Sequence, residues 1–380
     1  MLYHLLYPLA GKVGVLNVLR YPSFRIIMAG LTALLLGLLL GPTFIERMRA
    51  LQSGVSNVRE DTPETHQRKS GTPSMGGTLI LFCLSVATLL FADLRNRYVW
   101  AVLLVTLGFG AIGFADDYLK LARKSSKGLA GKRKLLLQLL VVLAVYYLFL
   151  TDLRFRPERG FPFLSVGSYL DHHLTLPFVP LRHFDVSLGW AYLPFMAFVV
   201  IATSNAVNLT DGLDGLAIGP SIVSASTFLV LAYVAGTTIA GFSLAAYLRI
   251  PQIPGAEELA VYCAAVAGAG IAFLWYNTYP ASVFMGDVGS LALGGGLGTL
   301  AVLTKNEVAS AILHGVFLAE TVSVILQVFS FRTTGRRIFM MAPIHHHFEL
   351  KGWAEPKIIV RFWIISIMLA LVALASLKLR

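Results

Sequence analysis

The sequence predicts an all-α polytopic membrane protein, with about ten transmembrane helices in a single integral membrane domain over 1–380. Three observations predict it. Hydrophobic residues make up 56% of the chain and charged residues only 13%, about half the charged share of an ordinary soluble domain. Apolar runs of about 20 residues recur from end to end, each long enough to cross a hydrocarbon core of about 30 Å as a helix. The runs are continuous rather than alternating, which excludes a barrel of two-faced strands.

Ten runs meet that length: 24–45, 75–93, 98–117, 134–151, 190–208, 215–235, 259–277, 287–304, 308–330 and 359–378. The stretch before Pro22 is too weakly apolar for another span. It also lacks the basic start, short apolar core and small-residue cleavage site of a signal peptide. Cys83 and Cys263 fall inside apolar runs and read as buried small hydrophobes. They form no disulfide framework and no zinc spacing. No strong internal repeat appears, which weighs against an inverted-repeat transporter.

The net charge is +11. In a membrane protein this is a topological signal before it is a nucleic-acid signal, so no nucleic-acid partner is expected. With ten spans the two termini share one face. The connections 46–74, 118–133, 209–214, 278–286 and 331–358 share the other and carry more Lys and Arg. One of them alone holds Lys120, Arg123, Lys124, Lys127, Lys132 and Arg133, with Lys134 just beyond. The positive-inside rule then places these connections in the cytoplasm and both termini on the periplasmic side. The segment 152–189 falls outside and suggests no chemistry.

The polar residues with chemical capacity gather at the inner helix ends. Asp116 and Asp117 end the third span. A helix C-terminus carries partial negative charge, so two carboxylates there require a compensating cation or the lysines that follow. Adjacent helical residues point about 100° apart, so the two carboxylates serve different partners. A second cluster, Asn205-Ala-Val-Asn208-Leu-Thr-Asp211-Gly-Leu-Asp214-Gly215, joins spans 5 and 6. Asp-Gly is a turn signal and one Asp can cap the next helix, but capping accounts for one of these residues, not four. If the segment is helical, Asn208, Asp211 and Asp214 line one stripe.

A third cluster runs from Asn277 through Phe284 and Asp287 to Ser290. Asp287 sits where it can cap span 8, and Phe284 is either a membrane anchor or a stacking surface for a base. The fourth is His345-His346-His347-Phe348-Glu349. Consecutive histidines rarely converge on one tetrahedral metal. A phosphate-binding or proton-transferring role fits them better. Lys69, Lys120, Lys127 and Lys134 lie on the same face, either as plain positive-inside residues or, with Gly71, Gly76 and Gly77, as phosphate ligands. Gly294 to Gly298 lie inside span 8 and read as close helix packing. Glu320 is a carboxyl in mid-span and must face the protein interior. Its partner is not legible in the sequence.

Carboxylates from three connections, set opposite lysines, are what Mg²⁺-assisted phosphoryl transfer needs. Magnesium prefers oxygen ligands and is commonly held by one or two carboxylates plus substrate phosphates. A site at a membrane surface further suggests a lipid substrate.

Six motifs together resemble the phospho-N-acetylmuramoyl-pentapeptide transferases. They are Lys69-Ser-Gly-Thr-Pro-Ser-Met-Gly-Gly77, Asp116-Asp-Tyr118, Lys127-Gly-Leu129, Asn208-Leu-Thr-Asp-Gly-Leu-Asp-Gly215, Phe284-Met-Gly-Asp-Val-Gly-Ser290 and Ala342-Pro-Ile-His-His-His-Phe-Glu-Leu-Lys-Gly-Trp353. The last is the most specific, because the wider polyprenyl-phosphate hexosamine-1-phosphate transferase superfamily carries a different histidine pattern there. The resemblance covers nearly the whole chain, 152–189 excepted. It implies transfer of phospho-MurNAc-pentapeptide from UDP-MurNAc-pentapeptide to undecaprenyl phosphate in the bacterial inner membrane, with Mg²⁺ and in a homodimer, the active site facing the cytoplasm. It implies Asp287 as metal ligand, Asp116 and Asp117 as the pair that readies the lipid phosphate, and His345, His346 and His347 as an essential segment. On the substrate side it implies Lys69, Asn208, Asp211, Asp214, Asn277 and Phe284, to which Asn205, Lys120, Lys127 and Lys134 are joined by position. The rivals are a sister transferase moving GlcNAc-1-phosphate to the same lipid and, from another class, an ion-coupled transporter.

Overall fold

The structure, a computed structural model, describes residues 1–52, 71–123, 128–150, 173–179, 186–239, 242–248 and 250–378. Lys69 and Lys127, and most of the segment 152–189, lie outside the described residues.

Among the described residues, nine helices are long and apolar enough to cross a membrane, and Gly77–Phe91 is a shorter apolar helix. Together they match the ten runs in order. They are α1 (Pro22–Leu51), α2 (Gly77–Phe91), α3 (Arg97–Ala122), α4 (Gly131–Val145), α5 (Tyr192–Thr210), α6 (Ile218–Gly236), α7 (Glu257–Asn277), α8 (Gly286–Leu303), α9 (Gly315–Thr334) and α10 (Glu355–Lys378). A π-helical turn, Tyr146–Leu150, extends α4. Short antiparallel pairs join His173–Leu174 to Val186–Ser187 and Thr238–Ile239 to Phe242–Ser243.

Two helices form the centre. α7 packs on α1, α2 and α6, and α8 packs on α2, α3 and α5. Small residues permit the approach. A Cβ on Gly294 would stand 2.6 Å from the Ser204 Cα, and one on Gly298 2.8 Å from the Val200 Cα. The glycine run of α8 is therefore packing surface, where interhelical contact depends on close backbones rather than on expelled water. Cys83 and Cys263 are both free and buried.

Three boundaries differ from the sequence expectation. α3 does not stop at Asp117 but continues to Ala122. The two carboxylates thus lie more than a turn inside the helix, with Lys120 above them at helical spacing. The run 308–330 is not one helix: Glu307–Leu313 ends at His314 and α9 begins at Gly315. α5 ends at Thr210, with Asp211 off the helical conformation at φ −78° and ψ 55°. Asn208, Asp211 and Asp214 therefore do not line one helical stripe.

Candidate active site

The chain ends of α3, α5 and α8 meet at one end of the bundle. α8 enters at Gly286, whose φ of +73° is a left-handed conformation that glycine adopts without a Cβ penalty. A Cβ there would also lie 2.6 Å from Asp117 Oδ2. Asp287 follows in the first turn of α8, where the helix dipole favours a carboxylate. It does not cap the helix. Its Oδ1 accepts from Asn208 Nδ2 at 2.8 Å, and its Oδ2 lies 2.8 Å from Lys134 Nζ and 3.2 Å from Lys120 Nζ.

Asp116 is buried, 2% exposed. Its Oδ2 meets Lys120 Nζ at 2.6 Å and Lys134 Nζ at 3.5 Å, and its Oδ1 accepts from Leu129 N at 2.6 Å. Asp117 turns differently: Oδ1 lies 3.3 Å from Lys120 Nζ and Oδ2 accepts from Val288 N at 3.3 Å. The neighbours thus share one lysine and otherwise serve different partners, as their angular offset requires. One oxygen from each of Asp116, Asp117 and Asp287 lies within 4.8 Å of the others.

These residues fit a divalent cation. The donors are all carboxylate oxygens, the set Mg²⁺ prefers. Among the described residues, three carboxylates share two ammonium groups. Asp211 reports the same field from outside the spans. Burial raises its carboxyl well above the ordinary aspartate range, and Asp287, Asp117 and Asp214 push the same way.

The remaining sequence-picked residues divide by what they touch. Asn277 stitches two turns: Oδ1 accepts from Gly215 N at 3.0 Å, and Nδ2 donates to Val283 O at 2.8 Å. Asp214 does similar work, accepting from Ala281 N at 3.0 Å. The backbone of Phe284 ties this turn to the start of α2, its N donating to Pro73 O at 2.8 Å and its O accepting from Gly76 N at 2.9 Å. Its ring is half-buried. Asn205 commits its amide nitrogen one turn deeper in the bundle, to Gln138 Oε1 at 2.9 Å and Ile201 O at 2.8 Å.

The histidines open the helix Ile344–Leu350. His346 Nδ1 meets Glu349 at 2.6 Å, and His347 Nδ1 accepts from Met340 N at 3.1 Å. His345 Nδ1 lies 3.1 Å from Glu320 Oε2, both side chains being buried. The mid-span carboxyl without a legible partner is therefore paired with the first histidine. The other edge of that ring abuts Gly212, where any Cβ would strike Nε2. The histidine segment thus touches the Asp211–Gly215 turn. One contributor carried no sequence signal: Gln138 looked like one polar residue in an apolar run. Ser290, which closes the third cluster, accepts from Asn208 Nδ2 at 2.8 Å.

Comparison with known proteins agrees with this geometry. The model of Glycosyl transferase family 4 matches residues 99–305, and the phospho-N-acetylmuramoyl-pentapeptide-transferase signature 1 matches residues 69–81. The chain is 77% identical over 380 residues to a phospho-N-acetylmuramoyl-pentapeptide-transferase of Anaeromyxobacter sp. (strain K), covering 100% of both chains. It is 61% identical to the protein of that name from Myxococcus xanthus (strain DK1622), covering 98% of this chain and 97% of the other. It is 53% identical to that of Geobacter sp. (strain M21), covering 100% of both. With full-length identity at this level and the family's acidic residues gathered at one end of the bundle, the chain belongs to the phospho-N-acetylmuramoyl-pentapeptide-transferase family.

Proposed function

We propose that this chain transfers phospho-MurNAc-pentapeptide from UDP-MurNAc-pentapeptide to undecaprenyl phosphate, forming lipid I and UMP. The observation that carries the reading is the convergence of Asp116, Asp117 and Asp287 on Lys120 and Lys134. It sits at helix ends, where a lipid headgroup and a soluble nucleotide can meet. A transporter site would lie near the bilayer midplane. The excess of Lys and Arg on the connections at this end supports a cytoplasmic site with both termini periplasmic. The family likeness supports a homodimer in the bacterial inner membrane.

In the reaction an oxygen of undecaprenyl phosphate attacks the sugar-bearing phosphorus of the donor. The pyrophosphate bond to the uridine side breaks, and UMP leaves with the bridging oxygen. Asp287, Asp116 and Asp117 would hold Mg²⁺, which when bound neutralises charge on the transferring and departing phosphates. Lys120 and Lys134 hold phosphate oxygens electrostatically, preset by the carboxylates around them. Asp116 and Asp117 keep the attacking oxygen of the acceptor free of its proton.

On the donor side Phe284 stacks the uracil. Asn208, Asp211, Asp214 and Asn277 shape the turns beneath it, and Lys69 and Lys127 complete the phosphate contacts. His345, held by Glu320, presents the histidine segment to the Asp211–Gly215 turn, where His346 and His347 meet the sugar-phosphate. The test is UMP release by the purified chain with undecaprenyl phosphate. Strong turnover is expected with UDP-MurNAc-pentapeptide and little with UDP-GlcNAc. The reverse preference would defeat the assignment in favour of the sister reaction.

A further inference from the structure

Gln138 is buried on a helix whose neighbouring residues face outward. The buried residues of α4 are Gln138, Val142 and Val145, whereas Leu135, Leu136, Leu137 and Leu140 are exposed. The first turns of α4 therefore meet the bundle through polar groups. Among apolar surroundings, helix association draws little on the hydrophobic effect and depends on packing and interhelical hydrogen bonds. Gln138 Oε1 accepts from Asn205 Nδ2 at 2.9 Å, and Gln138 Nε2 donates to Ser204 Oγ at 3.4 Å. Ser204 Oγ donates onward to Leu291 O at 2.8 Å. One chain of polar contacts thus joins α4, α5 and α8.

Each member of that chain sits one helical turn from a site residue on its own helix. Gln138 follows Lys134 on α4, Leu291 follows Asp287 on α8, and Asn205 precedes Asn208 on α5. A turn advances about 5.4 Å. The amide layer and the layer of Lys134, Asp287 and Asn208 are therefore stacked, the first deeper in the bundle. We infer that Gln138 is a positioning residue: its amide fixes the depth and rotation of α4 and so sets the Lys134 ammonium between Asp287 and Asp116. This rests on the role proposed above for Lys134. It also gives Asn205 a task within the bundle, as the partner of that amide.

The test uses the full chain in detergent micelles, with UMP release as the activity, binding of a uridine nucleotide as a second readout, and thermal melting as the check on folding. Gln138→Leu keeps the volume and removes the hydrogen bonds. Its kcat should fall about 10- to 100-fold, the scale of a misplaced catalytic group, with uridine-nucleotide affinity weakened no more than in Lys134→Met. The exchanged pair Gln138→Asn with Asn205→Gln keeps an amide on each helix and should recover most of that loss. It also decides the matter if Gln138→Leu does not fold. Wild-type kcat in Gln138→Leu, or an exchanged pair as impaired as Gln138→Leu, would overturn the inference. Normal turnover in Lys134→Met would instead remove the role assigned to Lys134, and with it the reading of the site.

Discussion

At the end of the bundle away from the carboxylate cluster, Arg25 meets Glu258 through two bonds, Nη1 to Oε2 at 2.6 Å and Nη2 to Oε1 at 2.5 Å. At that same end Lys305 meets Glu307 at 2.9 Å, with the Tyr192 hydroxyl 3.0 Å from the same ammonium. At the other end, among the described residues, Asp116, Asp117 and Asp287 meet two ammonium groups, those of Lys120 and Lys134. In the first arrangement each cation meets one carboxylate, and the Arg25–Glu258 pair ties the starts of α1 and α7 to the end of α2, whose Phe91 carbonyl accepts from Arg25 at 3.2 Å. In the second, three carboxylates share two cations. A buried ion pair is by itself weak evidence of anything but geometry. A cluster with more carboxylates than cations is disfavoured until something arrives to complete it. Exposure differs in the same sense, Lys120 being 28% exposed against 3% for Arg25.

The largest way to break the contrast is Asp287→Asn. Turnover should fall by at least about 100-fold, the scale of losing one preorganised electrostatic group, while the melting temperature holds. UMP release at saturating Mg²⁺ measures it, and near wild-type turnover would remove Asp287 from the site. The matching change at the balanced end is Arg25→Met, which strands Glu258. Stability should drop by about 3–5 kcal/mol, with turnover per folded molecule unchanged. Melting and activity measured on one preparation separate the two effects.

Next in size is Phe284→Ala. If the ring stacks uracil, a uridine nucleotide should bind about 5- to 150-fold more weakly, the range of base stacking on an aromatic. Calorimetric titration decides it, and unchanged affinity would leave Phe284 a membrane anchor. The smallest effect is Asp211→Asn in metal-free buffer. The Asp211 carboxyl is raised in the folded chain, so the folded state holds its proton more tightly than the unfolded state does. Stability contributed by that group is intact below the unfolded value of about 4 and is lost as pH rises toward the folded value. The substitution should therefore raise the melting temperature at neutral pH and leave it unchanged near pH 4. A gain equal at both values would show that the charge of Asp211 is not the cause.

Most of the fold was legible because lipid imposes length and composition on every crossing segment. All ten apolar runs reappear as helices, and the errors are two ends and one interruption. The last turn of α3 was missed because the span was ended at its paired carboxylates, although Leu119, Lys120, Leu121 and Ala122 are good helix formers. The reach of Lys120 to Asp116 and Asp117 favours the same turn. The break at His314 was hidden because an apolar run looks the same with or without an interruption. Within the site, the acidic residues stood out because charge at a helix end demands a reason. Gln138 did not, because one polar residue in an apolar helix is unremarkable until its partner is known. Glu320 was visible as an anomaly, but its partner His345 comes from a connection that no spacing rule links to α9.

The carboxylate end of the bundle is proposed as a divalent-cation site. Titration of Mn²⁺, followed by electron paramagnetic resonance on the purified chain, tests it without recourse to turnover. Wild type should bind Mn²⁺ competitively with Mg²⁺, and Asp287→Asn should lose that binding while still melting cooperatively. Equal Mn²⁺ binding in the two proteins, or none in wild type at saturating uridine nucleotide, would contradict the account.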